Sequence, residues 1–137
     1  MKFKGYVSSR KLNDDSLVQQ KVQNLVIREA CSKRGFEYKL SATEYGMKKS
    51  YLTLNQVVID LAKNQFDGIA FYSSSQMPKN KRSREKIYQV IIKKKKKLLF
   101  SLEDILIKNA KDIIKFENLF KIKFLLKFSP KKIKLDK

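Results

Sequence analysis

Residues 66–78 read FDGIAFYSSSQMP. The run from Gly68 to Tyr72 is apolar or aromatic and carries no charge, which is how a buried strand reads. Asp67-Gly68 supplies a turn leading into it, so a strand is expected over 66–73. Three serines, a glutamine and a proline follow. Uncharged hydrogen-bonding groups thus stand where a buried strand surfaces.

Outward from this strand the segments alternate, the pattern of a parallel α/β sheet. FKGYVSS (3–9) reads as a first strand and FEYKLSAT (36–43) as a second. Between them, Asp14, Asp15 and Ser16 are N-cap candidates for a helix running to about Arg34 and closed by Gly35. Ser50 is placed to cap a helix over 51–63, with Leu54, Val57, Val58 and Leu61 on one stripe. After Pro78 a third helix carries Arg84, Ile87, Tyr88 and Ile91 at helical spacing. KKLLFSL (96–102) reads as a fourth strand, and an amphipathic helix over about 110–128 stops before Pro130. The first lysines of the run 93–97 suit a helix C-terminus, and the later ones are expected to stay solvated. The expectation is a single domain over 1–128 and a basic, frayed tail over 129–137.

The formal net charge is +19, from 32 Lys and Arg against 13 Asp and Glu. Only Arg10, Arg28, Arg34, Arg82 and Arg84 are arginine; the lysines are spread over nearly every segment and are densest in the last third. Specific reading of phosphates and bases favours the planar arginine fork. The pattern therefore predicts weak, non-specific, salt-sensitive association with nucleic acid. The single cysteine, Cys31, excludes an internal disulfide, and a reducing cytoplasm fits it. No apolar run reaches the length of about 18 residues needed to span a bilayer.

In parallel sheets, ligands bind outside the carboxyl ends of the strands. The four expected ends are Ser8-Ser9-Arg10, Ser41 to Tyr45, Tyr72 to Gln76, and Ser101 to Glu103. All are polar and share one edge. Gln23 falls within the first helix's stripe of Val22, Val26, Ile27, Ala30 and Cys31. A buried glutamine there needs partners, and the first strand's end is nearest. The candidate ligand-binding residues are Ser8, Ser9, Arg10, Gln23, Asn24, Arg28, Thr43, Tyr45, Tyr72, Ser73 and Gln76. Arg10 suits an anion clamp, and Gln23 and Gln76 suit orienting amides. Glu44 and Glu103 are the candidate acid and base, provided that they face each other.

Several chemistries are disfavoured. The chain has no histidine, which removes the commonest general base and metal ligand, and no metal is expected. The first strand–helix connection, SSRKLNDDS, lacks glycine, so neither a dinucleotide fingerprint nor a P-loop is present. No cofactor is expected.

Two resemblances add to this reading. GYVSSR and FDGIAFYSSSQMPKN, within about residues 4–105, are similar to the catalytic domain of serine recombinases. GYVSSR stands where that family has a Tyr-x-Arg-x-Ser strand end. With Gly5-Tyr6 in register, the family's activating arginine falls on Ser8, its nucleophilic serine on Arg10, and its paired arginines on Gln76 and Lys79. Recombination is therefore not expected. GYVSSR, VQNLVIREAC, LSATEYGM, DGIAFYSSSQMP and FSLEDI resemble the sporadic carbohydrate cluster proteins, a small bacterial family of surface-glycan gene clusters. That resemblance implies a role in surface-carbohydrate biosynthesis, with a sugar or nucleotide-sugar ligand. The alternatives are a degenerate resolvase-like DNA-binding module and a non-catalytic scaffold dimerising through the last helix. The implied fold is a three-layer flavodoxin-like or resolvase-like α/β sandwich around a parallel sheet of about four strands.

Overall fold

The computed structural model of the chain describes residues 1–46 and 50–125, with the backbone alone at 124 and 125. Among these residues the sheet has five strands: β1 (Lys2–Ser8), β2 (Glu37–Glu44), β3 (Gly68–Phe71), β4 (Lys97–Phe100) and β5 (Ile105–Ile107), in the order β2-β1-β3-β4-β5. The first four are parallel, as expected, and β5 is antiparallel to β4. The fifth strand escapes the sequence reading because it is only three residues long and follows a tight turn. Asp104, at φ 57°, reverses the chain there.

Among the described residues four helices cover the sheet: α1 (Gln20–Lys33), α2 (Leu52–Ala62), α3 (Lys81–Lys94) and α4 (Ala110–Phe120), the last running on as a π turn over Lys121–Leu125. Side chains alternate along the strands, as strand geometry requires. Phe3, Val7, Ala70, Tyr72 and Leu99 face α1, beside Ile27, Ala30 and Cys31. Tyr6, Ile69, Phe71, Leu98 and Phe100 face the other way. There they meet Leu54, Val57 and Leu61 of α2, Ile87, Tyr88 and Ile91 of α3, and Phe116 and Phe120 of α4. A ladder of rings, Tyr6–Phe71–Phe100–Phe116–Phe120, crosses this second face with centroid spacings of 5.4, 4.9, 4.5 and 5.9 Å.

The helix starts differ from the sequence expectation. Asp14 binds the amide and hydroxyl of Ser16 in a turn of its own, and Asp15 takes φ 67°. That turn delays α1 to Gln20, whose N-cap Gln19 makes no side-chain cap. Ser50 does not cap α2, which begins after Tyr51. Gly35, at φ 72°, does close α1. Val22, expected inward, is 42% exposed. Lys96, expected in solvent, is buried and donates to the Phe66 carbonyl at 3.0 Å. Of the last helix's apolar residues, Phe116 and Phe120 are buried, whereas Ile114 and Ile122 are exposed. Leu126, Phe128 and the tail 129–137 lie outside the described residues.

Two close approaches set the sheet. A bulge lets Leu40 and Ser41 of β2 stand against Gly5 of β1. A Cβ on Gly5 would lie 2.1 Å from Ser41 Oγ, which is already bonded to Asn24 Oδ1 at 2.6 Å. A Cβ on Gly68 would lie 2.4 Å from the Phe3 ring and 2.7 Å from the Lys97 carbonyl oxygen. The carbonyl belongs to a neighbouring strand and cannot swing aside. Gly68→Ala is therefore expected to destabilise the fold by about 1–3 kcal/mol, the usual cost of overpacking. A lowered midpoint in urea denaturation, with unchanged slope, is the check.

Candidate functional site

Ser8 ends β1, the strand between β2 and β3. β2 stays in register with it at Glu44, but the pairing of β1 with β3 stops at Tyr6 and Phe71, so the Ser8 peptide groups need partners from elsewhere. Gln23 of α1, fully buried, supplies them. Its Oε1 accepts from the Ser8 N–H at 2.9 Å, and its Nε2 donates to the Ser8 and Val18 carbonyls, each at 2.8 Å. Gln76 does the same for β3. Its Oε1 accepts from the N–H groups of Tyr72 and Ser73 at 2.8 and 3.3 Å. Its Nε2 donates to Ser8 Oγ and to Gln23 Oε1, both at 3.2 Å. Two strand ends and a helix are thus joined by two neutral amides. A charge at this depth would carry a large desolvation cost. Among the described residues, no buried side-chain nitrogen or oxygen lacks a partner.

Glu44 is almost fully buried at the end of β2. It accepts from the Tyr6 hydroxyl at 2.7 Å and from the N–H groups of Thr53 and Leu54 at 3.0 and 3.1 Å. Glu44 therefore caps α2 in place of Ser50, and a carboxylate at a helix N-terminus also suits the helix dipole. Burial, then the bond to Glu44, pushes the Tyr6 hydroxyl's ionisation far above its ordinary value, so it remains a donor. Glu103 follows β4. It accepts from the Ser73 and Ser74 hydroxyls at 2.9 and 2.7 Å, from the Ser74 amide at 3.1 Å, and from Lys123 Nζ at 2.9 Å. Burial raises its pKa, but the bonds from Ser74 and Lys123 outweigh that and hold the carboxyl below its ordinary range.

Glu44 and Glu103 do not face each other, contrary to the condition set for an acid–base pair. β2 and β4 are three strand positions apart. At roughly 4.8 Å per position the span is about 14 Å. Each carboxylate also has its own partners and shares none with the other.

The remaining candidates fall into four places. Ser9 donates from amide and hydroxyl to the Glu44 carbonyl, at 3.0 and 3.1 Å. Thr43 accepts through its carbonyl from Thr53 Oγ1 at 3.1 Å, and Tyr45 is largely exposed. Tyr72 is buried, and Ser73 caps the short 3-10 turn Ser74–Gln76. Arg10 lies over the Tyr51 ring at 4.9 Å, in a crevice with Ser8, Lys11, Leu12, Asn13, Ser75 and Gln76 too thin to seat a water molecule. Asn24 and Arg28 are not at the strand ends. Asn24 accepts from Ser41 and Tyr38 at 2.6 and 3.0 Å, and Arg28 lies over the Tyr38 ring at 5.8 Å. Their position on α1 turns them toward the body of β2.

Three groups were not among the candidate site residues. Asn13 donates to the Met77 carbonyl at 2.6 Å and to Tyr51 Oη at 3.1 Å. Lys123 reaches back from the π turn to Glu103 and to Ser74 Oγ, the latter at 3.0 Å. Arg84 holds Glu117 in a two-pronged pair at 2.8 and 2.9 Å, while Tyr88 donates to the same carboxylate. Arg84 also donates to the Pro78 and Lys79 carbonyls and lies over the Phe120 ring. Burial raises the Glu117 pKa, but Arg84 and Tyr88 more than offset it and lower the value overall. An arginine within an apolar helical stripe was the visible signal; its partner, 33 residues away, was not.

No family model and no curated protein sequence matches the chain. Among solved structures, the N-terminal catalytic domain of TP901-1 integrase is similar. The TM-score is 0.60 at 15% identity, covering 92% of this chain and 98% of that one. The fold is resolvase-like. At this identity the likeness concerns the fold alone.

Two predictions follow from these contacts. Gln23→Leu leaves the Ser8 peptide groups buried without partners and is expected to cost at least about 2 kcal/mol, read as a lower denaturation midpoint. Glu103 and Glu117 both ionise below their ordinary value of 4.5 in the folded chain. Their contribution is thus full above that value and is lost as pH falls through the folded pKa. Stability of the native chain is expected to fall below pH 4.5. Glu103→Gln with Glu117→Gln should be less stable at neutral pH and show a shallower acid slope.

Proposed function

We propose that the chain is a resolvase-fold module without recombinase chemistry, and that it associates with nucleic acid weakly and without sequence preference. The observation that carries this reading is the amide network. In the register set by Gly5-Tyr6, the recombinase arginines fall on Ser8, Gln76 and Lys79 and the nucleophile on Arg10. Ser8 and Gln76 are buried and bonded to each other at 3.2 Å. At two of these three positions neutral groups bonded inward thus stand where stabilisation of a phosphate's developing charge would require cations. The charge of the chain lies outside, for example on Lys79, Lys81, Arg82, Lys93, Lys94 and Lys95, all exposed. Arg10 and Lys11 directly follow the end of β1, and in this reading they contact phosphate oxygens without chemistry.

A role in surface-carbohydrate biosynthesis is the second reading. The likeness of GYVSSR, VQNLVIREAC and LSATEYGM to the carbohydrate cluster proteins supports it. So does a groove of about 300 Å³ lined by Ser9, Leu17, Val18, Gln19 and Gln20, whose hydroxyl and amides suit sugar hydroxyls. The network itself favours the first reading, because most strand-end hydroxyls and amides are bonded to one another.

Titration of the chain against two unrelated DNA duplexes at two salt concentrations tests the first reading. Equal affinities that fall together with added salt are expected, because counterion release supplies them. A preference of about 100-fold that survived raised salt, or a covalent phosphoseryl link to DNA through Ser8 or Ser9, would overturn it. Saturable binding of UDP-N-acetylglucosamine, weakened by Gln20→Ala, would favour the second reading instead.

A further inference from the structure

The outward side of α4 carries a pattern that the fold does not use. Lys111, Ile114, Lys115, Asn118, Leu119 and Ile122 are spaced by three, four, seven, eight and eleven residues from the first, so they form one stripe along the helix and its π turn. All six are exposed, with Ile114 at 64%, Leu119 at 52% and Ile122 at 60%. Exposed Lys121 adds a cation beside Ile122. Of the helix's two carboxylates, Asp112 stands at the stripe's N-terminal edge, three residues before Lys115 and seven before Leu119. Asp112 accepts from the Lys108 amide, and Glu117 is held by Arg84 on the inner side. Leu119 and Ile122 also rim a groove of about 390 Å³ whose other walls include Ile105, Phe116 and Phe120. The apolar surface therefore deepens behind the stripe.

We infer that this stripe docks in the plane of an anionic lipid surface, with the lysines at the headgroups and Ile114, Leu119 and Ile122 in the acyl boundary. Charge complementarity selects this occupant. A second copy docked on the same face would oppose Lys111, Lys115 and Lys121 to their own counterparts, with Asp112, already bonded to the Lys108 amide, as the one carboxylate of α4 near them. A nucleic-acid backbone would pair with the lysines but would leave three aliphatic side chains in water. An anionic bilayer takes both parts of the pattern, and an amphipathic helix with lysines beside aliphatic residues is built for that boundary. None of the described helices is long and apolar enough to cross the bilayer, so the contact is peripheral.

The test is flotation of the full chain with phosphatidylcholine vesicles, with and without phosphatidylglycerol. Binding is expected only when phosphatidylglycerol is present. Lys111→Ala and Lys115→Ala are each expected to weaken it roughly five-fold. Ile114→Ser with Ile122→Ser is expected to weaken it by about ten-fold or more, with affinity for a DNA duplex unchanged. Ile114→Ser alone, at the most exposed position, serves if the double variant loses its native circular dichroism. No binding to phosphatidylglycerol vesicles would overturn the inference. So would wild-type vesicle binding by the folded serine variants, which would leave charge alone at work, or a dimer in sedimentation that Ile114→Ser dissolves.

Discussion

The peptide groups of Ser8 are the constraint on which the rest of the structure depends. They sit buried at the end of an inner strand, two residues past its last pairing with β3. Water cannot reach them freely and no strand continues past them, so side chains must complete the pairing. Gln23 does so from α1 and Gln76 from the turn after β3. Each amide presents a donor and an acceptor in one plane, as a peptide does. The chain of bonds continues through Gln76 to Tyr72 and Ser73, through Ser73 and Ser74 to Glu103, and from Glu103 to Lys123 beyond α4. One network therefore ties the first helix to the last.

A second tie fixes α4 from below. Arg84 and Tyr88 of α3 hold Glu117, and Phe116 and Phe120 complete the ladder of rings that starts at Tyr6. Removing one partner of so buried a pair is costly, because the other charge is left in a medium that cannot solvate it. The inner side of α4 is thereby committed to the core. Its outer side, with Ile114 and Ile122 beside lysines, is left as the part of this helix available to a partner. The polar residues at the strand ends show the opposite arrangement: abundant in the sequence, they face inward and bond to one another.

Much of the architecture was legible from residue order. Alternating apolar strands and stripes at helical spacing give four parallel strands and four helices, because both periods are local consequences of backbone geometry. The inner stripe of α3, with Arg84 among Ile87, Tyr88 and Ile91, could be read with no knowledge of its neighbours. The buried position of Gln23, and its dependence on the end of the first strand, could also be read, since an amide among apolar residues must find a partner. Short elements were less legible. β5 is three residues long, and the true start of α1 depends on a turn at Asp14–Ser16 whose bonds look the same in sequence as a helix cap.

What the sequence determined by itself was that the strand ends would carry hydrogen-bonding residues rather than lysines, and that a glutamine on the first helix would need partners there. What only the tertiary structure decided was which of those groups would meet. Glu44 and Glu103 look alike in sequence, each at the end of a strand. The strand order separates them by two intervening strands, so that one caps α2 and the other receives Lys123. Strand order and the partners of a long side chain are set by contacts between residues far apart in the chain, and local periodicity carries no record of them.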